Sequence, residues 1–305
     1  SYYSSININP VVITNIAEFI TTPAPIGSDS ISVGAVIPTA SMMSMYVYND
    51  NGTPVPYLFI RDEGTSPAGK GSVLRYISGS WEFVGERGFT SGTVGYSVDQ
   101  DSLSIYVYHD PINNQPVPYI AYCDVSNGNK AAVKRYNGTS WQDVGSNPSS
   151  GGSRFFSLQI WDDGTQYGIP YVSFNEYYLL YYHAYVKTYS GGAWTNVGSE
   201  ITDNTSTNTS LQIYKNGSIQ ELYIAYVYSN TFIIIPTLSV KKWNGSSWSN
   251  VGTTDIDSNS SGSGAVLSLA HGVTGPVVYA GWNNNGIKIF KLNGSSWQTV
   301  TAPLS

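Results

Sequence analysis

One phrase, AVKRYNGTSWQDVG at residues 132–145, returns four more times in this chain, and that recurrence constrains the fold more than any other feature. The other copies are SVLRYISGSWEFVG ending at Gly85, VKTYSGGAWTNVG ending at Gly198, VKKWNGSSWSNVG ending at Gly252 and IFKLNGSSWQTV ending at Val300. Their tryptophans, Trp81, Trp141, Trp194, Trp248 and Trp297, are spaced by 60, 53, 54 and 49 positions (141−81, 194−141, 248−194, 297−248). A period near fifty residues is the signature of a repeat architecture, in which each unit buries its apolar faces against its neighbours.

Each unit reads as four strands. An alternating run comes first, as at residues 43–48 and 103–108. A second run starts at a tyrosine in every copy: Tyr57, Tyr119, Tyr171, Tyr223 and Tyr279. The V-x-K/R-aromatic run is third and the Trp run fourth. Alternating β-branched and aromatic residues bounded by Gly, Asn, Asp and Pro argue for strand each time. Between the third and fourth runs lie Asn137-Gly138, Asn244-Gly245 and Asn293-Gly294, a hairpin signal because both residue types tolerate positive φ.

Four-stranded antiparallel units at this period are what β-propeller blades look like in sequence. The expectation is an all-β chain, a β-propeller of five four-stranded blades over residues 28–305, with six blades as the alternative. An extra N-terminal strand segment, residues 1–27, stands outside that count. Residues 11–17, VVITNIA, resemble the Trp run, with Ile13-Thr14-Asn15-Ile16-Ala17 aligning to Trp194-Thr195-Asn196-Val197-Gly198. Five outer strands are already supplied, so this one is surplus. Its apolar side chains (Val11, Val12, Ile13, Ile16, and Phe19 and Ile20 beyond) need a partner, in cis or on a neighbouring subunit by strand addition.

The second unit, PYIAYCDVSNGNKAAVKRYNGTSWQDVG, resembles the repeats of secreted bacterial propeller proteins related distantly to kelch-type and lectin-like propellers. The resemblance covers roughly residues 40–300. It implies architecture and little about chemistry, because such repeats serve many functions.

Composition removes several classes. Charged residues make up 11% of the chain and the net charge is −6, so no basic surface is available for nucleic acid. No apolar run approaches the length of a membrane span. Abundant Tyr, Ser, Asn, Gly and Thr, with no signal-like segment ahead of Ser1, suggest a processed extracellular or cell-surface protein. The lone Cys123 allows no internal disulfide.

No catalytic constellation stands out, and the chain reads as a non-enzyme. His109, His183 and His271 fall in different repeats without metal-like spacing, and no cofactor or metal is implied. No G-x-S-x-G elbow, sialidase-type Asp box or phosphate-cradling loop is present. Candidate ligand-binding residues sit at the end of the second strand, where a rim is expected: Arg61, Asp62, Asp124, Asn175, Glu176 and Asn283, with Trp282 and Tyr228 nearby. Asn204 and Asn208 are candidate glycosylation sites in a Thr/Ser-rich linker.

The leading expectation is a structural or adhesive extracellular protein that self-assembles with copies of itself through the surplus strand. The alternative is a carbohydrate-binding, lectin-like propeller with glycan partners. A propeller hydrolase or oxidase comes third.

Overall fold

The computed structural model describes residues 7–8, 40–95, 103–162, 166–202, 205–216, 219–229, 235–272, 275–284 and 286–300. These form five consecutive antiparallel sheets. Sheet I comprises β2 (Ala40–Asp50), β3 (Thr53–Asp62), β4 (Lys70–Ile77) and β5 (Ser80–Phe83), and sheet II β6 (Leu103–Asp110), β7 (Gln115–Asp124), β8 (Lys130–Tyr136) and β9 (Trp141–Asp143). Sheet III comprises β10 (Ser153–Trp161), β11 (Ile169–Tyr178), β12 (Tyr181–Ser190) and β13 (Ala193–Asn196). Sheet IV has β14 (Thr205–Asn216), β15 (Ile219–Ser229), β16 (Thr237–Trp243) and β17 (Trp248–Asn250), with the short β18 (Asp257–Ser258) added beside β16. Sheet V has β19 (Ser263–His271), β20 (Pro276–Asn283), β21 (Ile287–Asn293) and β22 (Ser296–Thr299). In every sheet the strands pair in chain order, as the repeated sequence pattern predicts. A two-residue β1 (Asn7–Ile8) lies parallel to β2, with Asn7 beside Ser44 and Ile8 beside Met45. The assembly residues Val11, Val12, Ile13, Ile16, Phe19 and Ile20, and Asn204, lie outside the described residues.

The first strand of each sheet packs beside the first strand of the next: β2 on β6, β6 on β10, β10 on β14, β14 on β19. A hydrogen bond staples each of these steps. The Ile105 N–H donates to Ser44 Oγ at 3.2 Å, Leu158 N–H to Ser104 Oγ at 3.0 Å, Leu211 N–H to Ser157 Oγ at 2.9 Å and Leu267 N–H to Ser210 Oγ at 3.0 Å. Ser44 and Ser104 are wholly buried, so each serine satisfies an amide that water cannot reach. Ser157→Ala strands the Leu211 N–H, and we expect a loss of about 1–3 kcal/mol in chemical denaturation, against nearly none for an exposed serine such as Ser246.

A second staple sits at the outer strands. The indole N–H of Trp141 donates to Val84 O at 2.9 Å, Trp194 to Val144 O at 2.9 Å, Trp248 to Val197 O at 2.7 Å and Trp297 to Val251 O at 3.0 Å. These four of the five repeated tryptophans are therefore joints between sheets. The glycine after each of these valines is held at positive φ, +74° at Gly198, and a Cβ there would fall 2.4 Å from the Trp243 ring. Glycine is required by both the backbone and the close approach of the next sheet. The Asn-Gly turns differ from the expectation that both residues take positive φ. Gly138 and Gly245 do, at +95° and +97°, while Asn137 and Asn244 instead accept two backbone N–H bonds each on their side-chain oxygens.

Candidate functional site

Hairpins joining the first and second strands crowd one end of the array, and there the sheets part to leave clefts. Three of these clefts are built alike. The one between sheets II and III is bounded by Tyr119, Arg135 and Asp143 on one side and the Gln166–Pro170 turn and Tyr189 on the other. Between III and IV the corresponding residues are Tyr171, Thr188 and Asn196, facing Gln220, Glu221 and Trp243. Between IV and V they are Tyr223, Lys242 and Asn250, facing Pro276 and Leu292. The volumes are about 280, 610 and 490 Å³ respectively.

The recurrence has a register explanation. The tyrosine that opens each second strand pairs directly across with one third-strand residue: Tyr57 with Arg75, Tyr119 with Arg135, Tyr171 with Thr188, Tyr223 with Lys242 and Tyr279 with Lys291. Four of those five partners are cations. Period-two alternation then places both members of a pair on the same face, at the cleft edge. Lys242 Nζ lies 5.3 Å from the Tyr223 ring centre and 2.7 Å from Glu221 Oε1, and the Tyr223 hydroxyl donates to Glu221 Oε2 at 2.9 Å. Burial, and then the Glu221 carboxylate, push the Tyr223 hydroxyl well above its ordinary pKa, so it stays a neutral donor. Burial also raises Tyr119, against the opposing pull of Arg135.

Each cleft thus offers an aromatic surface, a fixed hydroxyl, an exposed amide or carboxylate and a cation, Arg135 in the first and Lys242 in the other two. Among the described residues no group of three His, Cys, Asp or Glu side chains converges. Cys123 is buried, its thiol pushed up to about 12 by burial and then by Asp124, and it donates to Asn129 O. The Tyr48 hydroxyl lies 2.6 Å from His109 Nδ1.

The residues expected at the rim lie at the opposite end of the second strands, and most are engaged within the fold. Asp62, wholly buried, accepts from Arg87 at 2.7 and 2.9 Å, from Ser72 Oγ at 3.0 Å and from the Gly64 N–H. Arg61 pairs with Glu63 and donates to the carbonyls of Val94 and Gly95. Asp124 caps the 3-10 turn at Val125–Asn127, Glu176 accepts from the N–H groups of Ser150 and Gly151, and the Tyr228 hydroxyl donates to Asp255. Trp282 is buried and donates to Asp257, Asn283 is exposed beside Gly286, and Asn175 is wholly buried. Asn208 sits half-buried with φ +59° in the bulge of β14. Asp62, Arg61 and Glu176 thus hold the loops that carry the chain to the next sheet, while Asp124 holds the turn into the third strand of its own. The cation opposite the repeated tyrosine was visible in the sequence, but only strand register reveals that the two share a face.

No family model matches the chain, and no curated protein matches it. Solved structures do. Aleuria aurantia lectin, in complex with Fucα1-6GlcNAc, superposes with a TM-score of 0.58 at 10% identity, over 85% of this chain and 78% of that one. A second structure of Aleuria aurantia lectin, a fungal lectin described with a six-bladed β-propeller fold and a novel fucose recognition mode, gives 0.56 at 15% identity over the same shares. The AofleA protein of Arthrobotrys oligospora gives 0.55 at 8% identity, over 85% and 72%. The fold is a β-propeller. Its five described sheets are blades, and the clefts lie between consecutive blades. No helix in the described residues is long and apolar enough to cross a membrane.

Proposed function

We propose that this chain is a carbohydrate-binding propeller, secreted and non-catalytic, that holds glycans in the clefts between its blades. The observation that carries the reading is the repetition of one polar and aromatic set in three clefts. A catalytic site is normally unique, whereas quasi-equivalent sites around a ring give avidity from weak contacts. Sugars present hydroxyls with an apolar ring face, and an aromatic wall beside a fixed tyrosine hydroxyl and a cation complements both. That several superposing structures are lectins favours this alternative over the self-assembly reading as the primary role. They establish the fold alone, so the argument for sugar rests on the clefts.

The test is a glycan array probed with the full-length chain, followed by Lys242→Ala. Lys242 lines two of the three clefts, and losing its charged hydrogen bond at both should weaken apparent affinity for a multivalent glycan about tenfold or more. Free monosaccharide should compete only at far higher concentration. A blank array with folded protein sinks the reading.

A further inference from the structure

Three positions of the repeat that are buried in blades I to IV are exposed in blade V. The third-strand residue is Val73, Val133, Val186 and Val240 in the first four blades, each at most 3% exposed, and Ile289 in the fifth, 44% exposed. The valine after the Trp strand goes from Val84, Val144, Val197 and Val251, at 6 to 8%, to Val300 at 40%. The stapling position goes from Ser44, Ser104, Ser157 and Ser210, at most 9% exposed, to Val266 at 51%. With Ile287 at 85%, these residues give blade V an apolar face directed where a following blade would sit.

That face is not seated on blade I. The staple cannot be made there, because Val266 has no hydroxyl to accept an N–H. No indole bond of the repeated kind runs from Trp81 to Val300 among the described residues. Blade I's own outward face is nevertheless covered: Leu58 and Ile60 are 3% exposed, Leu74 is buried outright, and Trp81 is 8% exposed. One flank of the array is satisfied and the other is bare.

We infer that the bare face of blade V is a docking surface for a second copy of this chain, through that copy's apolar N-terminal segment, residues 11–20. An exposed apolar face on one flank with a covered face on the other is the asymmetry of a heterologous, head-to-tail contact, which propagates into an open polymer when rotation does not close it. The N-terminal segment fits because Ile13–Ala17 in sequence matches the outer-strand run that each blade presents to its neighbour.

The full-length protein should show mass that rises with concentration by light scattering, and linear particles by electron imaging. Val266→Asp with Ile289→Asp should keep the thermal midpoint, because both positions are exposed in the single chain, yet shift assembly to at least tenfold higher concentration. The only native cysteine is buried, so introduced thiols report cleanly. Chains carrying Ile13→Cys mixed with chains carrying Ile289→Cys should form a disulfide-linked pair. A monomer at every concentration, assembly untouched by the double substitution, or a link formed only within one chain carrying both cysteines would each overturn the inference. None of these outcomes bears on glycan binding.

Discussion

Trp141→Ala is expected to lower the free energy of unfolding by about 3 kcal/mol, the low end for removing a packed tryptophan because this one is half-buried. The indole stacks on Phe89 with ring centres 4.4 Å apart, leans on Tyr136 at 5.5 Å, and donates to Val84 O across the joint between blades I and II. Alanine removes all three contacts and opens the interface to water. Trp141→Phe keeps a ring against Phe89 and loses the N–H donor, so it should cost about 1 kcal/mol. Urea denaturation followed by circular dichroism separates the two variants. Equal losses would mean that the hydrogen bond, not the ring, holds the joint.

Asp62→Ala should cost about 3–5 kcal/mol, the range for breaking a buried ion pair and leaving its partner uncompensated. Asp62 is wholly buried and Arg87 grips it with two bonds. Burial alone would push this carboxyl up, but the hydrogen bonds from Arg87, Ser72 and the Gly64 N–H outweigh it and hold the group below its ordinary 3.8. The unfolded chain therefore takes up the proton first on acidification. The stability Asp62 contributes is complete above about pH 4 and is lost as pH falls through the lower, folded value. Asp257 is placed similarly: burial opposes its ionisation, and bonds from Lys288, Asn284 and Trp282 keep its pKa lowered. Acid titration of the wild type should show a stability loss below pH 4 that Asp62→Asn partly removes. An unchanged acid profile in that variant would refute the assignment.

Both predictions concern residues whose meaning changed between sequence and structure. The repeated tryptophans read as packing positions, and they are, with an added indole bond to the preceding blade at Trp141, Trp194, Trp248 and Trp297. Asp62 read as a rim residue able to meet a ligand. It is a buried anchor, because the end of the second strand lies beside the linker that leaves β5 for the next blade, and a carboxylate there binds the Gly64 N–H of its own turn and Arg87 of that linker. Nothing in the local string RDEGT distinguishes an anchor from a contact. The partner that decides it lies 25 residues further on.

The sequence by itself determined the element types and their order within each repeat, because alternation, turn residues and the Trp period are local properties that each unit carries complete. Tertiary structure alone decided which repeats face one another and which face nothing. Tyr223 and Lys242 become a pair only through strand register, and the clefts exist only where two blades meet. Val266 and Ile289 look like ordinary core residues in the string, as Val240 is. Their exposure depends on whether another blade follows, a property of the ring and not of the repeat.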